Sequence, residues 1–293
     1  MMAPALAIHR SRKLIPPFEL LRPRTVREAA SMQVDAPDHT AFMAGGIDLI
    51  NRLKFGQPIS RVVYLGAVGG LDGIEESATG LTIGAGVTHD QLQTSPVVRA
   101  RLPALAETWG AVANVRVRLK GTLGGNLMAR EPTYDVALAV MAAGAELRFA
   151  MADGAERRVA AAALTDAAGR PVAQPGLLTA IALPASNRVR LGFDRSLRPA
   201  LSMAVGLDLD GTRIAGGRVA IGCAFAGPLA RALPFDAPLA ASELAGAAGE
   251  IAHRLASTLP EPASDGQAGA TYRRRMVAVL LRRQLVALAG EVR

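Results

Sequence analysis

Gly121-Thr122-Leu123-Gly124-Gly125-Asn126 is the stretch that decides how this 293-residue chain is read, together with an earlier partner, Ala44-Gly45-Gly46-Ile47-Asp48-Leu49. Glycine has no Cβ to hold a ligand off and tolerates positive φ, so a glycine-rich loop can turn several backbone N–H groups toward one phosphate. Two such loops, each with a small polar residue, suit a pyrophosphate. A lone glycine turn is ordinarily a hairpin or a helix end, so the pair and its surroundings carry the argument.

Working outward, residues 41–43 read as a strand entering the first loop and residues 48–54 as a helix leaving it. A strand, a loop and a helix in that order aim the loop amides and the helix N-terminus at one anion. The pattern predicts a helix over 25–32 and strands over 62–65 and 81–85. Thr88-His89-Asp90-Gln91 has the capping-box form, which gives Thr88 and Gln91 a structural task and leaves His89 in a solvated first turn. A helix over 103–112 holds the only tryptophan, Trp109. Beyond the second loop an apolar helix over 134–143 follows Pro132, then a strand over 145–149. The run LLTAIAL (177–183) is a strand stopped by Pro184, and 185–190 read as a linker. In the remainder, strands over 200–209 and 217–225 flank the hairpin turn Asp210-Gly211-Thr212, and helices cover 240–258 and 271–288.

Half the residues are hydrophobic but only 4% are aromatic, so the core is expected to rest on many small aliphatic contacts. No stretch reaches the roughly 18 apolar residues of a membrane span, and the first residues (MMAPALAIHRSRKLIPP) lack the features of a secretory signal; the expected location is the cytoplasm. The single cysteine, Cys223, excludes an internal disulfide and an iron–sulfur or Cys-zinc site carried by this chain alone, and is expected as a core residue on a strand. The four histidines show no ligand spacing, so no metal is expected. A net charge of +8 without interleaved aromatics speaks against nucleic acid and for a basic face toward an acidic partner. The last helix, with its blocks of arginine and aliphatic residues, reads as a solvated surface helix or a docking face. Nothing has the form of a nucleophile with its base, a zinc site or a P-loop, so no catalytic residue is expected.

In order along the chain, PFELLRPRTVREAA (17–30), AFMAGGIDLI (41–50), LTIGAGVTHDQL (81–92) and GTLGGNLMAREPTYD (121–135) resemble the FAD-binding (medium) subunit of the molybdenum hydroxylase and xanthine dehydrogenase family, which includes the carbon monoxide dehydrogenase medium subunit. The resemblance implies an α+β fold: a two-lobed FAD-binding domain of the PCMH/VAO type over 1–185, with lobes of roughly 1–60 and 61–185. A small α+β C-terminal domain of the CO dehydrogenase flavoprotein type, an antiparallel sheet plus helices, would follow over 186–293.

The resemblance also assigns the site. Ala44, Gly45, Gly46, Ile47, Asp48 and Leu49 would wrap the FAD pyrophosphate, flanked by Phe42 and Met43. Thr122, Gly124, Gly125 and Asn126 would face phosphate or ribityl groups, with Leu123 as the apolar spacer. Asp135 would accept from sugar hydroxyls, and its other reading is a helix N-terminal acid. Leu178 would pack near the cofactor, and Phe193 would stand at the flavin. Two positions depart from the family pattern. Ile47 replaces a usual hydroxyl or polar residue, removing a side-chain contact to phosphate on the order of 1 to 3 kcal/mol. Asp194 replaces a basic residue near the ring, with Arg195 beside it, which would retune the flavin. The implied partners are a small subunit with 2Fe-2S clusters and a large molybdopterin-binding subunit, in a dimer of heterotrimers. The remaining readings are a degenerate relative serving as a scaffold without FAD, and a free-standing flavin oxidase.

Overall fold

The structure is a computed structural model that describes residues 14–34, 36–185, 189–194 and 199–290. Three sheets are built in chain order. The first is parallel, with β1 (Glu19–Leu21) and β2 (Thr40–Met43) on either side of β3 (Arg61–Tyr64). Helices α1 (Val26–Val34) and α2 (Ile47–Lys54) make the connections, as parallel pairing requires. In α2 the i, i+4 pair Leu49 and Leu53 is buried against Ile59 and Val62, which fixes the helix to the sheet.

The second sheet is antiparallel, in the order β4 (Ile74–Ser77), β5 (Gly80–Gly84), β8 (Leu177–Pro184), β6 (Glu146–Ala150), β7 (Glu156–Ala160). Between β5 and β6 the chain runs through α3 (His89–Thr94), α4 (Pro96–Arg101), α5 (Pro103–Gly110), α6 (Val115–Arg118), α7 (Leu123–Ala129) and α8 (Asp135–Ala142). Every residue of α8 is buried.

The third sheet is also antiparallel, ordered β12 (Leu229–Ala232), β11 (Arg213–Gly222), β10 (Ser202–Asp210), β9 (Val189–Asp194), with β13 (Leu239–Ala240) also on β11. Alternation along β10 explains its two faces. Met203, Val205 and Leu207 enter a core with α9 (Ala241–Thr258) and α10 (Ala270–Ala289), while Ala204 joins the core of the second sheet. Gly206, on the same face as Ala204, approaches α8 so closely that a Cβ would land on the Ala142 carbonyl. Small residues there let helix and sheet close up.

Several expectations shift. β3 is the central strand of the first sheet, so a lobe boundary near residue 60 would cut the sheet, which extends to Tyr64. β11 begins at Arg213 and ends at Gly222, so Cys223 stands just past the strand. It adopts a left-handed φ of 64° and is half-buried, its N–H donating to the Pro132 carbonyl at 2.8 Å. Residues 1–13, residues 186–188 of the expected linker, and Arg195 lie outside the described residues.

Candidate functional site

A cleft of about 1310 Å³ lies between the first and second sheets, beyond the roughly 300–1,000 Å³ of ordinary small-ligand pockets. Both glycine loops line it, and they touch. A Cβ on Gly45 would land on the Lys120 carbonyl oxygen and lie 3.2 Å from Gly121 N. Only glycine permits this seam.

The first loop leads from β2 into α2. Gly46 is the N-cap residue with φ of 74°, a left-handed conformation that favours glycine, and it supplies no side-chain cap. The first-turn amides of Ile47, Asp48 and Leu49 have no partner within the protein among the described residues. They stand at the positive end of an eight-residue helix and line the cleft.

The second loop is built differently. Leu123 N–H donates to Val87 O and Gly124 N–H to Ala85 O, each at 2.9 Å. Gly125 N–H donates to Thr122 Oγ1 at 3.1 Å, and Asn126 N–H to Thr122 O at 2.9 Å. These amides are therefore occupied, and Thr122 is the N-cap of α7. Gly124 is small because a Cβ there would sit 2.7 Å from Ala85 Cβ and 2.8 Å from its carbonyl. The first loop leaves its helix-start amides facing the cleft, whereas the second-loop amides are taken up within the protein and its glycines serve close packing.

Of the expected site residues, Phe42, Met43, Ala44, Gly45, Gly46, Ile47, Asp48, Leu49, Thr122, Gly124, Gly125, Asn126, Asp135 and Leu178 all line the cleft. Leu123 does not: it is fully buried in the second sheet's core. Phe193 also lies outside the lining, on β9 opposite Ala204, packed against that same core. Asp135 is the first residue of α8 and is buried.

Beside the expected Asp48, the cleft is lined by residues that sequence reasoning missed: Arg52, His89, Arg130 and Tyr134. Asp48 accepts from Tyr134 Oη at 3.5 Å and lies 3.8 Å from Arg52 Nη1. Burial pushes the Asp48 carboxyl up against the opposing pull of Arg52 and Tyr134. Burial, then the charge of Asp48, pushes the Tyr134 hydroxyl up to about 12, which keeps it a neutral donor. Arg130, in a left-handed conformation at the end of α7, donates to Val172 O at 2.6 Å; burial and the neighbouring Arg52 push its pKa down. His89, expected in solvent, is 2% exposed and lines the cleft. The capping box does form, but the second loop packs over the ring, and burial with the nearby Arg118 pulls its pKa down to about 4. The imidazole is neutral near pH 7.

Comparison with known proteins agrees with this architecture. The pattern of the FAD binding domain in molybdopterin dehydrogenase matches residues 16–186. The carbon monoxide dehydrogenase medium chain of Afipia carboxidovorans is 30% identical over 275 residues, covering 91% of this chain and 94% of the relative. Among solved structures, carbon monoxide dehydrogenase from Hydrogenophaga pseudoflava superposes with a TM-score of 0.81 at 25% identity, covering 96% of this chain and 100% of that one. Quinoline 2-oxidoreductase from Pseudomonas putida 86 superposes with a TM-score of 0.80 at 26% identity, covering 95% and 99%. The chain belongs to the family of FAD-binding domains of molybdopterin dehydrogenases.

Proposed function

We propose that this family member carries FAD in the cleft between its first two sheets and works as the electron-transfer subunit of a heteromeric molybdenum hydroxylase. Its partners in this reading are a small iron–sulfur subunit and a large molybdopterin-binding subunit, assembled as a dimer of heterotrimers in the cytoplasm. The observation that carries the proposal is the seam at Gly45, which holds an open helix N-terminus and the second loop at one cleft.

The residues fit the cofactor. The unpartnered amides of Ile47, Asp48 and Leu49, at the positive end of α2, would take the pyrophosphate. Thr122 and Asn126 would meet phosphate or ribityl oxygens, Asp135 the sugar hydroxyls, and Leu178 the apolar body of the cofactor. Leu123 and Phe193 support the site from the core. FAD, when bound, supplies the exchange of electrons between iron–sulfur clusters and a terminal acceptor. The chain's own part is to bind and orient the dinucleotide and hold its charge. No side chain is required to attack or to shuttle a proton.

The test is spectroscopic. The purified chain, alone or with its partners, is expected to show a flavin band near 450 nm and to release FAD on heating. A preparation with neither, even after incubation with added FAD, would remove the proposal.

A further inference from the structure

His89 is a buried titratable group to which neither the family pattern nor the capping motif gives a ligand-facing role. Its backbone N–H donates to Gly121 O at 3.0 Å, which pins the ring under the second loop. A side chain at Gly121 would meet the ring, 3.1 Å from Cδ2 and 3.5 Å from Nε2. The Nε2 edge therefore faces cleft-lining Gly121, one residue from Lys120, on whose carbonyl Gly45 packs. The opposite nitrogen, Nδ1, is sealed from solvent and has no partner among the described residues.

These facts select a tautomer. A sealed N–H without an acceptor is rarer and costlier than a sealed lone pair, so Nδ1 carries the lone pair and the proton sits on Nε2. The guanidinium of Arg118 nearby opposes a second proton. The ring is thus a neutral donor with a fixed direction.

We propose that His89 is a cofactor-positioning residue which donates from Nε2 to a phosphate oxygen of the dinucleotide at the seam between the two glycine loops. The inference rests on the FAD reading above. It also adds a side-chain donor on the second-loop side, where the amides are occupied, and so accounts for how that side of the seam can still hold a phosphate.

The test uses the full chain stripped of FAD, its imidazoles labelled with nitrogen-15, and three proteins: wild type, His89→Leu and His89→Gln. Nitrogen NMR is expected to find the Nε2–H tautomer before FAD is added, and the Nε2 resonance is expected to move on adding FAD. FAD titration is expected to give roughly tenfold weaker binding for His89→Leu, the scale of one charge-assisted hydrogen bond. His89→Gln, which keeps a donor, is expected to recover most of that loss. A purely structural role would leave Nε2 unmoved by FAD and would show no rescue by glutamine. The Nδ1–H tautomer, or equal FAD affinity for all three proteins, overturns the inference while leaving the FAD reading intact. Wild type that fails to bind FAD overturns both. If His89→Leu does not fold, the tautomer and the glutamine variant still decide the matter.

Discussion

The two glycine loops look alike on paper and do opposite things in space. Residues 44–49 leave their helix-start amides open to the cleft, with Gly46 turned left-handed and no side chain capping the helix. Residues 121–126 close theirs: the start of α7 is capped by Thr122, and the amides of Leu123 and Gly124 bond to carbonyls of Val87 and Ala85. One loop is a ligand surface made of backbone. The other is a rigid wall whose glycines bring it close enough for side chains such as Asn126 and His89 to reach the same cleft. Glycine in a loop thus marks close approach, and the hydrogen-bond partners of its amides decide whether a ligand or the protein itself approaches.

The sharpest way to break this comparison is at the seam. Gly45→Ala places a Cβ on the Lys120 carbonyl, and backbone on both sides has to move. The expected cost is about 3 kcal/mol, the upper end of overpacking, with loss of bound flavin in whatever remains folded. Gly46→Ala is the control. Its Cβ would find nothing nearer than 3.6 Å, so only the left-handed φ is penalised, by about 1–2 kcal/mol. Thermal unfolding and flavin content of the two variants check the order. Equal flavin retention in both would mean that the seam does not hold the cleft together.

At the second loop the same operation reads out packing. Gly124→Ala would press on the Cβ and carbonyl of Ala85, and an expected 1–3 kcal/mol of stability is lost. Ala85→Gly removes the Cβ half of that clash, so the double variant should regain part of the loss in a double-mutant cycle. Because the Gly124 amide already bonds to Ala85 O, FAD affinity of the folded fraction should fall less than in Gly45→Ala. The reverse order would return the second loop to the role of an amide cradle.

The same contrast explains what could be read from sequence. The strand, loop and helix around Gly45 were legible because each element is local: β2 stops at the glycines and α2 starts on an amphipathic pattern. The hairpin at Gly211, the long helices α9 and α10, and the apolar α8 were legible for the same reason. The edge strands β4 and β7 were not, since IEES and ERRVA carry charge where a buried strand would carry aliphatic residues. That charge protects the sheet edge from stray pairing and at the same time erases the periodic signal. The acceptors for the Leu123 and Gly124 amides lie more than 30 residues upstream, and no local pattern shows them. His89 is a similar case: its capping motif is local and plain in the sequence, while its burial comes from a loop that the motif does not contain. Leu123 and Phe193 fit the family pattern but point into the core, because a sequence match fixes a residue's place in the chain and packing fixes its direction.

The smallest expected effect lies at Ile47, where the family pattern has a hydroxyl or another polar residue. Ile47 opens α2, lines the cleft and is only partly buried, so Ile47→Thr gives up little core packing. A hydroxyl there can add one hydrogen bond to phosphate alongside amides that are already in place. The expected gain is about 1 kcal/mol in FAD binding, several-fold in affinity, with the unfolding temperature of the FAD-free protein nearly unchanged. A gain this modest is itself informative, because it means the backbone supplies most of the grip at the first loop. If Ile47→Thr instead tightened binding by several orders of magnitude, the open amides of α2 would be minor partners, and the division of labour between the two loops would have to be redrawn around side chains.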